Sequence, residues 1–364
     1  MGQSPNSNNY TSNPKDYILV QGNADMKNGQ VHPRVWTTEV TKTASKGDLI
    51  LSVRAPVGDV GKTGYDVVIG RGVAAIQGNE FIYQLLRQMK AAGYWTRFST
   101  GSTFESINSF EIHNAVINLP DKHEQIEIGK LLLSFDRIIT LHEEKKRQLE
   151  RLKSALLQKM FAEKQGYPVV RFKGFCDEWQ GTKLGKVSKI VRGASPRPIS
   201  DPKWFDNDSN VGWLRISDVT SQDGRIHHLE QHISKQGQAK TRVISEPHLL
   251  LSIAATVGKP LINYVKTGVH DGFLIFIEPH FDLEFMFQWL EMFRPQWSKY
   301  GQPGSQINLN SDLVKNQIIY LPSREEQNQI GIFFNQIDSL INLHQQKINN
   351  INSVKKSLLQ KMFI

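Results

Sequence analysis

Two stretches of this chain place residues at alternating steps of three and four, the spacing that lays one stripe along a long helix. The first stripe runs Ile128, Leu131, Phe135, Ile138, His142, Lys145, Leu149, Leu152 and Leu156. The second runs Ile330, Phe333, Ile337, Leu340, His344, Lys347, Ile351, Val354 and Leu358, each 202 residues further on. A lone helix cannot bury such a stripe, so the two helices are expected to pack on each other, antiparallel. His142 with Lys145, and His344 with Lys347, interrupt both stripes at the same place. Polar seam residues either fix register at a cost in stability or mark a half-exposed stretch, and both readings stay open.

Outside the stripes the pattern shortens. Residues 48–53 (DLILSV), 67–69 and 116–119 are apolar, β-branched runs between glycines and prolines, which predicts strands. Phe81, Leu85, Leu86 and Met89 recur at helical spacing, which predicts a helix over 80–90. After AEKQGYP (162–168), whose Gly166 and Pro168 end the first long helix, the pattern repeats. Strands are expected at 212–216, 249–253 and 272–277, with a helix near 283–293. The fold class is therefore α+β: two α+β domains (1–120 and 166–321) separated by two long helices (121–165 and 322–364) packed as an antiparallel coiled coil, with a pseudo-two-fold internal repeat.

The repeat is direct as well as patterned. LLQKMF occurs at 156–161 and at 358–363. At the same offset Leu119-Pro120 falls on Leu321-Pro322, Glu124-Gln125 on Glu326-Gln327, Ile128-Gly129 on Ile330-Gly331 and Asp136 on Asp338. Upstream, LILSVRAPVG (49–58) lies on LLLSIAATVG (249–258), FIYQLL (81–86) on FMFQWL (285–290) and MGQSP (1–5) on RGASP (192–196). Two copies of so long a period argue for paired domains and not a solenoid. Residues 171–191 have no counterpart ahead of Met1, so the first domain is expected to be short of an edge strand and helix.

The chain has 364 residues with 44 Lys and Arg against 35 Asp and Glu, a net charge of +9. That balance favours an anionic partner, nucleic acid first. The single cysteine, Cys176, excludes an intramolecular disulfide framework and fits a reducing cytoplasm. No apolar run approaches the roughly 20 residues that span a bilayer, and the polar start is no signal peptide.

Catalytic motifs fail. GDVGKTG (58–64) ends like a phosphate-binding loop, but Pro56 stands where GxxxxGK[ST] needs its first glycine, and a turn after a buried strand explains it. His228 and His232 in HHLEQH are four apart, yet no further ligand stands at metal-site spacing. Cys176 has no activating neighbour in sequence. Glu144 and Lys146 form an ExK arrangement that a charged helix surface explains better than a nuclease site. No catalytic residue, resident cofactor or metal is assigned, and the chain reads as a binder.

Nucleic-acid candidates are Arg54, Arg71 and Arg97 in the first domain and Arg192, Arg197, Lys203, Arg215 and Lys259 in the second. All lie in or beside loops rich in Ser, Asn, Gln and Gly. Two matched basic, aromatic, hydroxyl-rich loops, 91–103 and 294–305, add Ser99, Thr100, Lys299 and Gln302. Arginine and lysine suit phosphates and guanine edges, asparagine and glutamine suit adenine, and only a minority of such residues contact DNA in any one interface.

With these features together, the chain resembles the DNA specificity subunits of type I restriction-modification enzymes. The resemblance rests on GDLILSVRAPVG, on GSTFESIN leading to INLP, and on LPxxxEQxxIG opening a helix that ends LLQKMF. The second half repeats it with GSQINLN, LPSREEQNQIG and LLQKMF, preceded by EWQGTKLGKV (178–187). It implies a non-catalytic subunit with two target recognition domains, each reading half of a split sequence in double-stranded DNA. The helices would space the domains and bind two methyltransferase subunits, which would hold S-adenosylmethionine and methylate adenine. An ATP-dependent restriction subunit would translocate and cleave. A helix over 124–160 would be roughly 55 Å long, or about 16 base pairs of duplex, a ruler longer than one helical turn. The rival expectation is a coiled-coil scaffold or inhibitor with incidental basic loops.

Overall fold

The computed structural model describes residues 1–98, 106–162, 166–245, 247–254, 256–297 and 309–363. The chain divides into two compact units, Met1–Glu143 with Gln345–Ile364 (unit 1) and Glu144–His344 (unit 2). Each long helix contributes to both units, because each is one continuous element.

In unit 1 the strands are β1 (Tyr10–Thr11), β2 (Tyr17–Val20), β3 (Met26–Lys27), β4 (Gln30–Val31), β5 (Val35–Thr37), β6 (Thr43–Ala44), β7 (Leu49–Ser52), β8 (Val60–Lys62), β9 (Val67–Ile69) and β10 (Val73–Ile76). The helices are α1 (Glu80–Ala91), α2 (Ser109–His113) and the first part of α3 (Lys122–Met160). Two sheets form, ordered β1-β5-β2-β9-β6 and β10-β7-β8-β4-β3. Leu49, Leu51, Phe81, Leu85 and Leu86 pack one core between the second sheet and α1, joined by Ile128 and Leu132 of α3. Asn79 caps α1 by accepting from the Ile82 backbone N–H, which sets the face that Phe81 and Leu85 bury.

Unit 2 begins in the second part of α3 and continues through β11 (Gln180–Lys183), α4 (Leu184–Val187), β12 (Lys189–Arg192), β13 (Gly212–Leu214), α5 (Asp218–Ser221), β14 (Arg225–Ile226), α6 (Lys235–Gln238), β15 (Arg242–Ile244), β16 (Leu249–Ser252), β17 (Pro260–Asn263), β18 (Thr267–Val269) and β19 (Phe273–Ile277). It closes with α7 (Leu283–Trp297), α8 (Ser311–Asn316), β20 (Ile318–Leu321) and α9 (Arg324–Met362). Its sheets are β12-β19-β16-β17-β14, β13-β18-β15 and the pair β11-β20. The run at 116–119, expected as a strand, is not one in unit 1, whereas its counterpart 318–321 is β20. The difference has a cause: β20 pairs with β11 from Gln180↔Leu321 to Lys183↔Ile318, and a strand without a neighbour has no ladder to hold it.

The two turns after β7 and β16 match closely. Gly58 and Gly258 have φ of 87° and 77°, and a Cβ at either would collide with Trp95 or Trp297 respectively. The GDVGKTG segment thus belongs to a turn in which glycine supplies positive φ and close approach to a tryptophan.

The long helices pack antiparallel within each unit. In unit 1 Lys355 Nζ of α9 lies 2.6 Å from Asp136 Oδ1 of α3, while the earlier residues Ile128 and Leu132 share a core with the later residues Leu359 and Met362. In unit 2 Lys153 Nζ lies 2.5 Å from Asp338 Oδ1, and Met160 and Phe161 share a core with Ile330 and Phe334.

The stripe is a heptad, but four of the nine expected positions in each helix fall one residue early. Leu131, Ile138, Leu152, Leu340 and Val354 are exposed, as are Lys145 and Lys347. The inward positions of α3 are 128, 132, 135, 139, 142, 146, 149, 153, 156 and 160, and α9 repeats them 202 residues on. Phe333 is partly buried, stacked edge-on against Phe172 at 5.6 Å. Ile128, Phe135, His142, Leu149, Ile330, Ile337, His344 and Ile351 keep their inward places.

Candidate nucleic-acid interface

Asp136 and Asp338 anchor the sheet-bearing part of each unit to the helices. Asp136 Oδ2 accepts from Gln84 Nε2 of α1 at 2.8 Å and from Arg87 Nη1 at 3.1 Å. Asp338 Oδ2 accepts from Gln288 Nε2 of α7 at 2.8 Å and from Arg225 Nη2 at 3.1 Å. Burial works to raise Asp136, but hydrogen bonds from Lys355 and Gln84, with the Arg87 and Lys355 charges, together hold it below the usual carboxylate range. Burial lowers Lys355 from its ordinary value, with Asp136 opposing. Charge-assisted bonds of this kind, converging from two elements on Asp136 and from three on Asp338, fix the orientation of whatever the sheets carry.

In unit 2 that frame carries a groove of about 550 Å³ lined by Ile199, Pro202, Phe205, Trp213, Arg215, Gln231 and His270. Parallel pairing of β13 with β18, Trp213 opposite Gly268, sets the Trp213 ring 5.7 Å from that of His270. Arg192 Nε donates to the Asp271 carbonyl at 2.6 Å and Arg197 Nη2 meets the Asp271 carboxylate at 3.1 Å. Arg197 is 82% exposed at its side chain, so its charge faces solvent beside the groove. Ser195 Oγ donates to Asp271 at 2.9 Å. Burial works to raise Asp271, but Ser195, His270, Arg192 and Arg197 together lower it. Burial lowers His270, the two arginines add to that effect and Asp271 opposes it.

The expected contact residues distribute unevenly. Arg215 lines this groove, and Arg192 and Arg197 meet at Asp271, the residue after the groove-lining His270. Lys203 lies on the adjoining loop, paired with Asp201 at 2.7 Å and 4.5 Å from the Trp204 ring centroid. Arg215 is held by Asp218 at 3.1 Å and Glu230 at 3.0 Å, which orients its guanidinium. Lys259 stands apart, largely buried and 3.9 Å from Glu291 of α7. In unit 1 Arg54 is exposed just after β7, bridged to Ser106. Arg71 is exposed in the turn before β10, and its backbone N–H donates to Ser4 Oγ. Arg97 lies over the Tyr94 ring at 5.5 Å. Ser99, Thr100, Lys299 and Gln302 lie outside the described residues. His270, Asp271, Trp213 and Gln231 were not singled out by sequence. The signal available was the HD pair of TGVHDG set against the GR pair of VIGRG at the same place in the repeat.

HHLEQH lies in the loop before α6, where His227 stacks on Tyr264 at 4.5 Å and His232 Nε2 is 3.0 Å from the Leu229 carbonyl. Among the described residues no three His, Cys, Asp or Glu side chains are grouped to hold a metal ion, and no helix is long and apolar enough to cross a membrane. Guanidinium groups beside an aromatic-lined groove suit phosphate and base contacts.

Residues 1–151 and 176–353 match the family model described as the type I restriction modification DNA specificity domain. The chain is 31% identical over 163 residues to a putative type I restriction enzyme MjaX specificity subunit of Methanocaldococcus jannaschii, covering 43% of this chain and 38% of that protein. It is 24% identical over 277 residues to the MjaVIII specificity subunit of the same organism, covering 71% and 64%. The matches thus span less than two thirds of these relatives' lengths. Among solved structures, a type I restriction-modification S subunit from M. genitalium superposes with a TM-score of 0.62 at 14% identity, covering 100% of this chain and 92% of that one. A chain from a study of type I complex assembly and conformational transition gives 0.57 at 18% identity, covering 95% and 90%. These two likenesses concern the fold.

Proposed function

Because the chain belongs to the type I restriction-modification DNA specificity family, we propose that it is the sequence-reading subunit of such a complex, each unit contacting one half of a split DNA target. The observation that carries this reading is the double match: one specificity-domain family covers both copies of a repeat in which sheets are anchored to paired long helices. Unit 2 reads its half-site through the groove beside Trp213 and His270, with Arg192, Arg197 and Arg215 on phosphates or guanine edges and Lys203 on the flanking backbone. Unit 1 uses Arg54, Arg71 and Arg97. Ser99, Thr100, Lys299 and Gln302 are candidate contacts of the loops that carry them. Lys259, tied to Glu291, is the weakest of these assignments.

The chain acts without chemistry of its own, in the cytoplasm. Methyl transfer to adenine belongs to two methyltransferase subunits docked on the exposed faces of the helix pair, and S-adenosylmethionine is held there. Restriction subunits join the same assembly. The helix length sets the spacer between half-sites. A coiled-coil scaffold would not call for two repeats of a DNA specificity domain.

The test is selection of duplexes from a random library by the chain assembled with its methyltransferase subunits, over a range of salt. A split consensus whose binding weakens steeply with salt is expected, since phosphate contacts release counterions. Recovery of DNA without a consensus, or an undivided one, overturns the proposal.

A further inference from the structure

The arginines beside the groove of unit 2 are held in two different ways. Arg192 at the end of β12, Arg197 in the loop after it and Arg242 at the start of β15 are linked through Asp271. Arg242 Nε donates to the Arg192 carbonyl at 2.7 Å, Arg192 Nε donates to the Asp271 carbonyl at 2.6 Å, and Arg197 Nη2 meets the Asp271 carboxylate at 3.1 Å. Antiparallel pairing sets Arg242 opposite Val269, the residue before the groove-lining His270. Thr241 Oγ1 donates to the Ala194 carbonyl, which ties β15 to the loop after β12. All three arginines are exposed. Each is aimed by one edge of its guanidinium, and among the described residues the Nη atoms of Arg192 and Arg242 make no hydrogen bond. Three guanidinium groups thus share the single Asp271 carboxylate, which leaves a surplus of positive charge with donors turned outward.

Arg215 is built the other way. Its Nε and Nη2 reach Asp218 at 3.4 and 3.1 Å, and Nη2 also reaches Glu230 at 3.0 Å. One guanidinium faces two carboxylates, so this spot has no positive surplus to offer a phosphate. Nη1 makes no hydrogen bond among the described residues, and the side chain lines the groove beside Trp213 and His270. A clamped guanidinium with one donor nitrogen left is directional, and it suits an acceptor on a base edge, such as guanine O6 or N7.

We infer that Arg242 completes with Arg192 and Arg197 a clamp for DNA phosphates, and that Arg215 is the base-reading residue of the groove. The inference rests on the DNA-reading assignment of unit 2 and divides its work between position and sequence. The repeat keeps a cation at the place of Arg242, since Lys42 is exposed there and its carbonyl accepts from the Ile69 backbone N–H. Lysine substitution separates the two roles. An ammonium serves a phosphate as a point charge, but it lacks the planar fork that Asp218 and Glu230 hold in place.

The experiment titrates the full chain, assembled with its methyltransferase subunits, with a duplex carrying its selected site and with single-base-pair variants of that site, over a range of salt. Arg242→Ala is expected to lower the slope of log affinity against log salt by about 0.9 and to keep the base preference, and Arg242→Lys to restore the slope. Arg215→Ala and Arg215→Lys are both expected to lose about tenfold or more of the discrimination at one base pair and to keep the slope. Unchanged hydrogen exchange in β13, β15 and β18 checks that each variant keeps its fold. An unchanged slope in Arg242→Ala, a base preference lost there, or discrimination retained in Arg215→Lys overturns the division while the unsubstituted chain still selects its site. An unsubstituted chain that prefers no duplex overturns the DNA-reading assignment and the division with it.

Discussion

Asp338 in unit 2 and Asp136 in unit 1 hold the same three kinds of partner: a lysine from the other long helix, a glutamine from the domain helix and an arginine. The arginines come from different places. Arg225 stands on β14, largely buried, bonded also to Glu284 at 2.6 Å and 4.5 Å from the Phe287 ring. Its counterpart in unit 1 is Gln30 on β4, and the cationic part is divided between Lys62, paired with Glu80 and 4.2 Å from the Tyr83 ring, and Arg87, which is 43% exposed. A cavity of about 1000 Å³ lined by Gln30, Tyr83, Arg87, Asp136 and Lys355 remains where Arg225 reaches across in unit 2. The frame is thus defined by the helix-borne aspartate and its lysine, while the way each sheet region is tied to it is free to differ.

The strongest test of a difference between the units is the buried Arg171–Glu326 ion pair of unit 2, whose carboxylate matches an exposed Glu124 in unit 1. Removing Arg171 leaves Glu326 uncompensated in the interior, and Arg171→Ala is expected to destabilise unit 2 by about 3–5 kcal/mol. Glu124→Ala in unit 1 should stay within about 0.5 kcal/mol, as for exposed charges. Urea unfolding followed by local hydrogen exchange reads both. Equal losses would contradict the different burial of Glu326 and Glu124.

The corrected heptad phase gives the next largest effect. Leu132 is fully buried and Leu131 is exposed, so Leu132→Ala should cost about 2–5 kcal/mol and Leu131→Ala less than about 1 kcal/mol. The reverse order would restore the earlier phase. Lys355→Ala is expected to cost about 3 kcal/mol, since Asp136 keeps the Gln84 amide but, as a charge partner, only the exposed Arg87. Lys153→Ala should cost less, about 1–2 kcal/mol, because Arg225 still faces Asp338.

The smallest effect separates the units by pH. Folding lowers the pKa of His270, so the unfolded chain binds the proton more readily. Stability from this group is complete above the ordinary histidine value near 6.5 and is lost as pH falls through the lower folded value. Gly70 and Arg71 stand at the places of His270 and Asp271 in unit 1. Between pH 7 and 5 the exchange protection of β18 should fall while that of β9 does not share this loss, and His270→Gln should flatten the difference.

Much of the frame was legible because the repeat and the three-four spacing are strong signals. The helix phase was not. Leu131, Leu132 and Leu133 are consecutive leucines and Ile138 and Ile139 consecutive isoleucines, so apolarity alone fits two phases. At two places apolarity alone favours Leu152 and Val354 over Lys153 and Lys355. Tertiary partners decide otherwise, since each lysine enters the seam to meet an aspartate. The identity of Lys153 and Lys355, with Asp136 and Asp338, across the repeat was the available clue. At the groove, sequence found Arg192, Arg197 and Arg215 by residue type, but the meeting of Arg192 and Arg197 at Asp271, 79 and 74 residues away, depends on tertiary structure. The strand expected at 116–119 failed for a related reason: β-propensity does not supply a neighbour.

The central claim is that this chain directs methylation to a split sequence. It is tested most directly by mapping methyladenine across the genome of cells carrying the methyltransferase subunit with and without this chain, and with its Arg215→Ala variant. One bipartite motif that requires the chain, with only one half relaxed by Arg215→Ala, is the predicted result. A methylation pattern that does not depend on the chain would contradict the account.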